Sequence, residues 1–269
     1  MNNLNTRREL ILDEMGLAPR WVLRGGDGGA EVPSAAVEID EAAAESDGRP
    51  IPAIASVADA TSAAVATSTG DPASVAVNLD WPQLLESIRG CSACGLCAQR
   101  KQAVPGVGDQ EADWLFIGEG PGAEEDARGE PFVGQAGKLL DAMLAAIGLV
   151  RGQGVYIANA VKCRPPGNRT PDEAEITACY PFLRRQIELI KPKLIVLLGR
   201  AAVAAVLKEN GSLASLRGKP HFLSENGASI PVVVTYHPAY LLRNLPDKAK
   251  AWEDLCRAKE VMRQQIAQG

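Results

Sequence analysis

The segment CSACGLC sets Cys91, Cys94 and Cys97 three residues apart, and Cys163 and Cys179 follow later, sixteen apart. Two residues between thiols let one tight turn present both to the same metal, so Cys-x-x-Cys is a metal claw. Four thiolates suit zinc or an iron–sulfur cluster, and spacing does not choose between them. The triple run also imitates a ferredoxin tract, but the next cysteine is missing at the expected distance and no proline follows it. Cys256 stands alone in an amphipathic C-terminal segment and reads as an ordinary helix residue.

A second group suits acid–base and hydrogen-bonding chemistry. The stretch IGEGPGAEED formally satisfies a dinucleotide-binding pattern through Gly118, Gly120 and Ala123, which makes a Rossmann oxidoreductase one reading. In that reading the second strand should end in a ribose-binding acid, whereas here it leads to Asn159. Pro121 in the turn and Glu124, Glu125 and Asp126 behind it also disfavour a pyrophosphate. Read as an active-site turn, the same loop offers backbone N–H groups that approach a ligand closely, with Glu119 and the acidic run as bases. The acids equally suit a helix N-terminus. Phe132, in EPFVGQAG, is either core or a stacking platform on a loop. His237, in TYHPAYLLRN, closes an apolar run, a placement that favours function; the other histidine, His221, follows RGKP in a hairpin.

Positioning these residues requires an α/β framework. Apolar runs at 114–117, 155–158, 194–198 and 232–235 read as buried strands, and 140–149, 179–190 and 200–207 have helical periodicity. Strands alternating with helices imply a parallel sheet covered on both faces. Ligands of such sheets sit beyond the carboxyl ends of the strands. That rim would carry Gly118 to Gly122, Asn159, Gly199 and the segment around His237.

The N-terminal part reads differently. Residues 25–78 contain no aromatic side chain and are dominated by Ala, Gly, Ser, Thr, Asp and Glu. Such a composition does not offset the entropy of ordering, so it is read as a disordered, flexible linker, with short Ala-rich helices as the alternative. Within residues 1–24, Leu10, Ile11, Met15 and Leu17 have helical spacing, with Gly16 as a stop, as in a short partner-binding amphipathic helix. Residues 79–269 form the remaining domain. Net charge is −5, but residues 1–78 hold 5 basic against 12 acidic side chains, leaving 23 against 21 beyond them. The mildly basic remainder is compatible with a phosphate backbone. No apolar run approaches the roughly 20 residues of a membrane span. The start MNNLNTRREL lacks the features of a secretory signal. The expectation is a cytoplasmic protein without membrane association, its cysteines free or metal-bound.

Taken in order, CSAC, GEGPGAEED, EPFVGQAGKLLD, VYIANAVKCRPPGNR, Cys179, LIVLLG, LRGK and YHPAYLLR resemble the family 4 uracil-DNA glycosylases, over about residues 85–260. These are the bacterial and archaeal iron–sulfur type. The resemblance implies a three-layer α/β/α sandwich around a four-stranded parallel sheet, acting as a monomer. It implies hydrolysis of the N-glycosidic bond of uracil in single- or double-stranded DNA, leaving an abasic site and starting base excision repair. A uracil-DNA binder without catalysis is the remaining alternative. Cys91, Cys94, Cys163 and Cys179 would hold a structural [4Fe–4S] cluster, and Cys97 is a thiol the family does not need.

The family also implies roles at the rim. A stacked uracil is unreactive and must be flipped into a pocket. His237 would donate a hydrogen bond towards O2 beside the backbone N–H groups of Glu119 and Gly120, donors worth about 3–4 kcal/mol. Phe132 would stack on the base, and Asn159 would read O4 and N3–H, where cytosine presents the reverse pattern. Glu119, Glu125 and Asn168 are the candidates to activate water, read as a shared network. Leu242 and Arg243 match the loop that enters the duplex, and Lys162, Arg164, Arg217 and Lys219 are expected phosphate contacts. Finally, RRELILDEMGLAPRWVLR is similar, with one offset, to the start of the psi subunit of the bacterial clamp loader, which implies docking of residues 7–24 on the chi subunit.

Overall fold

The computed structural model describes Ala76, residues 78–225 and residues 227–268, all within one of the chain's two compact units. The helix expected in residues 1–24 and nearly all of the linker expected over 25–78 lie outside the described residues.

Helix α1 (Trp81–Gly90) begins where a reciprocal cap can form. The Asp80 carboxylate accepts from the Gln83 N–H at 3.0 Å, while the Gln83 side chain accepts from the Asp80 N–H at 3.2 Å. Each bond satisfies an end group with no helical partner. Then come β1 (Val107–Gly108), β2 (Trp114–Gly118), α2 (Ala123–Arg128), α3 (Gln135–Ala146) and β3 (Val155–Asn159). The next helix, α4 (Glu173–Ile190), starts on the same device, with Asp172 and Glu175 as the reciprocal pair. The rest of the chain forms β4 (Leu194–Leu198), α5 (Arg200–Val206), α6 (Leu213–Leu216), β5 (His221–Glu225), β6 (Ala228–Thr235), α7 (Pro238–Arg243) and α8 (Lys248–Gln268).

The sheet runs β1-β3-β2-β4-β6-β5. Its four central strands are parallel, as expected, and two antiparallel edges widen it to six: β1 on β3 and β5 on β6. The expected hairpin after RGKP is the β5–β6 pair. The edge β1 escapes a reading from sequence because two half-buried residues carry no periodicity.

Every residue of β2, β3 and β4 is buried, so the alternation of side chains feeds two cores instead of one core and a wet face. Leu115, Ile117, Ala158, Ile195 and Leu197 pack with Leu84 and Ile88 of α1, Leu183 and Ile187 of α4 and Val203 of α5. Their neighbours Trp114, Phe116, Ile157, Val196 and Leu198 pack with Leu140 and Met143 of α3, Leu241 of α7 and Leu255 and Met262 of α8. This is a three-layer α/β/α sandwich. Each fully buried Leu, Ile or Phe contributes about 1.5–3 kcal/mol, which makes the centre of the sheet a rigid support for its rim. Among the described residues no helix is long and apolar enough to cross a membrane.

Candidate active site and cysteine-lined loop

Parallel pairing brings the predicted rim residues level. β2 and β3 end in register with Gly118 opposite Asn159, and β4 and β6 end with Leu198 opposite Thr235, just before Gly199 and Tyr236-His237. Pairing persists past the strands: the Ala160 N–H donates to the Gly118 carbonyl at 2.9 Å and the Val161 N–H to that of Glu119 at 3.2 Å. Above the rim lies a cleft of about 1070 Å³ whose walls include Glu119, Gly120, Glu125, Phe132, Asn159, Asn168, His237 and Arg243. The structure thus brings together all the residues expected to bind the base or activate water.

Asn159 is 2% exposed, and its Oδ1 is buried without a hydrogen-bond partner. An amide oxygen left in that state costs about 1–3 kcal/mol, so the wall suits a ligand with an N–H to give. Its neighbour across the sheet must be glycine. A Cβ on Gly118 would lie 2.5 Å from both Asn159 Oδ1 and Phe132 Cζ, so only a bare backbone lets the amide and the ring approach it. Phe132 itself has φ +55°, a conformation unfavourable for a bulky side chain. Its loop is held from two sides. Arg151 donates to the carbonyls of Pro131 and Phe132 at 3.0 and 2.8 Å while pairing with Asp141 at 2.9 Å. Glu125 accepts from the N–H groups of Val133 and Gly134, each at 3.0 Å, and from Gly122 at 3.1 Å. Glu125 therefore ties the glycine turn to the phenylalanine loop, and the sequence pattern marked neither this tie nor Arg151.

The Phe132 and His237 rings stack with centroids 5.4 Å apart. His237 caps α7: its Nδ1 accepts from the Ala239 N–H at 3.1 Å, with Pro238 opening the helix. A neutral ring accepting at Nδ1 carries its hydrogen on Nε2. Burial, helped by the Arg243 charge and opposed by Glu125, pushes the His237 pKa down to about 4, which keeps the ring neutral. Gly199, at φ +93°, leaves room beside it, since a Cβ there would lie 3.1 Å from that of His237. Burial also raises the Glu119 carboxyl above its ordinary range, against a hydrogen bond from Thr170 and the charge of Arg243. Asn168 is exposed, has φ +56°, and accepts from Arg164 Nε at 2.7 Å.

Beyond the rim the structure separates the expected DNA contacts. Leu242 is 41% exposed, and Arg243 and Lys219 are exposed as well. Leu245, 61% exposed next to this group, was not singled out from sequence, because one apolar residue in a polar turn carries no signal. Two expectations are corrected. Lys162 is 1% exposed, and its Nζ donates to the Asn159 carbonyl at 2.9 Å and to Gln186 Oε1 at 2.6 Å, so it cannot reach a phosphate. Arg217 is committed inside the protein to Asp254 and to the Lys250 carbonyl, both at 2.5 Å, with its guanidinium over the Tyr236 ring.

The cysteines gather on the other side of the β3 exit. Cys163 and Cys179 are buried, and Cys91 and Cys94 pack half-buried against the same core. Cys256 is exposed on α8. Arg100 donates to Cys163 Sγ at 2.8 Å and to the carbonyls of Arg89 and Cys91 at 2.7 and 2.8 Å. The N–H of Lys162 donates to Cys179 Sγ at 3.3 Å and that of Ala93 to Cys91 Sγ at 3.5 Å. Burial pushes the Cys179 thiol up to about 12 and raises Cys163 and Cys94, so a metal must displace the protons if thiolates are to form here. Among the described residues no three His, Cys, Asp or Glu side chains are arranged to hold a metal ion as they stand. The donor set nonetheless fits a thiolate-held group: four cysteines, with N–H donors and a guanidinium aimed at sulfur.

The sequence model of the Uracil DNA glycosylase superfamily matches residues 105–256. The type-4 uracil-DNA glycosylase of Saccharolobus solfataricus is 44% identical over 189 residues, which cover 69% of this chain and 87% of the relative. That of Sulfurisphaera tokodaii is 46% identical over 177 residues, 64% of this chain and 80% of the relative. That of Thermotoga maritima is 42% identical over 183 residues, 67% of this chain and 93% of the relative. The chain belongs to the type-4 uracil-DNA glycosylases.

Proposed function

We infer that this protein removes uracil from DNA by hydrolysing its N-glycosidic bond, the reaction that opens base excision repair. The observation that carries the reading at this site is the buried, unpartnered Asn159 Oδ1 beside Phe132 and His237. Uracil offers N3–H to that oxygen and O4 to the amide N–H, whereas cytosine offers an acceptor and a donor in reverse. Phe132 stacks on the flipped base. As the bond to C1′ breaks, its electron pair leaves with uracil. The Nε2–H of neutral His237 and the backbone N–H groups of Glu119 and Gly120 stabilise the charge that develops at O2. Water adds to C1′, and its proton passes to Glu119, whose raised carboxyl is a stronger base than usual. Asn168 helps to orient that water. Glu125 belongs to the same network as its scaffold, because three backbone N–H groups occupy its oxygens.

Abasic-site formation on a uracil-containing oligonucleotide tests the reading, with Asn159→Asp and His237→Ala as controls. Uracil release by the parent and its collapse in both variants is the expected result; no release by the parent would sink the enzyme reading.

Cys91, Cys94, Cys163 and Cys179 hold a [4Fe–4S] cluster in this reading, supported by the uniform donor set and the sulfur-directed N–H groups. When bound, the cluster supplies a cross-link and takes no part in bond cleavage. Arg100 and the backbone donors stabilise the thiolates, and the loop after β3 stays docked on α4. Leu242 and Arg243 enter the duplex, while Arg164 and Lys219 face phosphates. In this reading the protein works in the cytoplasm as a monomer. Residues 7–24 dock on the chi subunit of the clamp loader, keeping the enzyme near replicating DNA. Association with purified chi that survives removal of residues 1–24 would count against that docking.

A further inference from the structure

Lys162 has no part in the mechanism above, yet it lies between that chemistry and the cysteines. It reaches back over the turn ANAVKC so that its Nζ holds the carbonyl of Asn159 at 2.9 Å and Gln186 Oε1 at 2.6 Å. Gln186, fully buried, is fixed in turn by the Pro105 carbonyl at 2.9 Å and the Tyr156 hydroxyl at 3.4 Å. The Lys162 backbone is also anchored: its N–H donates to Cys179 Sγ at 3.3 Å and its carbonyl accepts from the Val104 N–H at 2.8 Å. Both acceptors of the ammonium are neutral. A buried charge without an opposite charge is costly, so the ammonium is committed to these two hydrogen bonds.

We propose that Lys162 is a positioning residue that fastens the base-reading end of β3 to the cysteine loop, its Nζ holding the Asn159 carbonyl while its backbone N–H is held at Cys179 Sγ. The proposal rests on the reading of Asn159 as the base reader and of Cys163 and Cys179 as ligands. It gives the cysteine centre a consequence for selectivity without any role in bond cleavage. Removing the ammonium leaves the Asn159–Ala160 peptide held only through its N–H to Gly118, and the side-chain amide then loses its fixed orientation towards the base.

The test compares iron content per chain with affinity for oligonucleotides carrying 2′-fluoro-2′-deoxyuridine or 2′-fluoro-2′-deoxycytidine, which resist cleavage. In holoenzyme Lys162→Met, iron stays at the parent level and the uracil-over-cytosine affinity ratio falls about tenfold or more. An unchanged ratio overturns the proposal. Loss of iron overturns it too, because Lys162 would then act on the ligands. If the single variant does not fold, Lys162→Met with Gln186→Met replaces the polar pair by an apolar one and is read the same way. Asn159→Ala separates the two readings. A ratio unchanged in that variant overturns the role of Asn159, and the proposal with it. A ratio lost there but kept in Lys162→Met overturns the proposal alone.

Discussion

Asn159, the last residue of β3, and Cys163 stand four residues apart, yet their surroundings treat polar atoms in opposite ways. At the cleft, Asn159 Oδ1 is buried without a partner, Phe132 sits at φ +55°, burial raises Glu119 and His237 is held neutral. At the cysteines, sulfurs meet donors: Ala93 for Cys91, Arg100 for Cys163, Lys162 for Cys179. Unmet hydrogen bonds and strained backbone mark a place where a ligand comes and goes. Satisfied sulfurs mark a permanent fitting. The difference suits a cleft that makes the contacts to the base and a cysteine side that bears on them only through how firmly the cleft is held.

Variants that respect this division should separate turnover from iron content. The largest effect is expected from His237→Ala, which removes the proposed donor at O2 and lowers kcat by about 10²- to 10³-fold with iron unchanged. A loss of iron in that variant would blur the two regions. Gly118→Ala comes next. Its new methyl collides with Asn159 and Phe132, an overpacking worth about 1–3 kcal/mol that should appear as weaker uracil selectivity in competition assays. Arg100→Met should do the reverse, leaving selectivity intact while iron is lost faster to a chelator and stability falls by about 1–3 kcal/mol.

The pH dependence sharpens the same contrast. Because the folded-state pKa of His237 is about 4, below its ordinary 6.5, the unfolded chain binds the proton first as pH falls. His237 therefore contributes stability that is fully present above pH 6.5 and is lost as pH drops towards 4. The neutral donor survives through that window. A kcat/KM profile with a limb near 6.5 that disappears in His237→Gln would contradict this assignment. The smallest effect is expected at the surface, where Lys219→Ala should flatten the salt dependence of DNA binding by a slope of about 0.9, and Lys162→Met should leave that slope unchanged.

The sequence made the sheet and the rim legible because buried parallel strands are apolar runs, and here they end in Gly118 and Asn159 or just before Gly199. What escaped depends on contacts between distant segments. Arg100 meets Cys163 across 63 residues, and nothing near either one announces the pairing. Lys162, in VKCRPP, looks like a surface charge because residue type says nothing of direction, and only the fold turns its side chain inward. Arg217 was misread for the same reason, since its partner Asp254 lies on α8.

Asn159 Oδ1 is buried without a partner, and in the proposed function uracil supplies it with a donor from N3. The most direct measurement compares excision of uracil and of N3-methyluracil from one oligonucleotide sequence by the unmodified enzyme. Uracil should be released and N3-methyluracil should resist by about a hundredfold or more, because its N3 has no hydrogen to give. Equal release of the two bases would contradict the account.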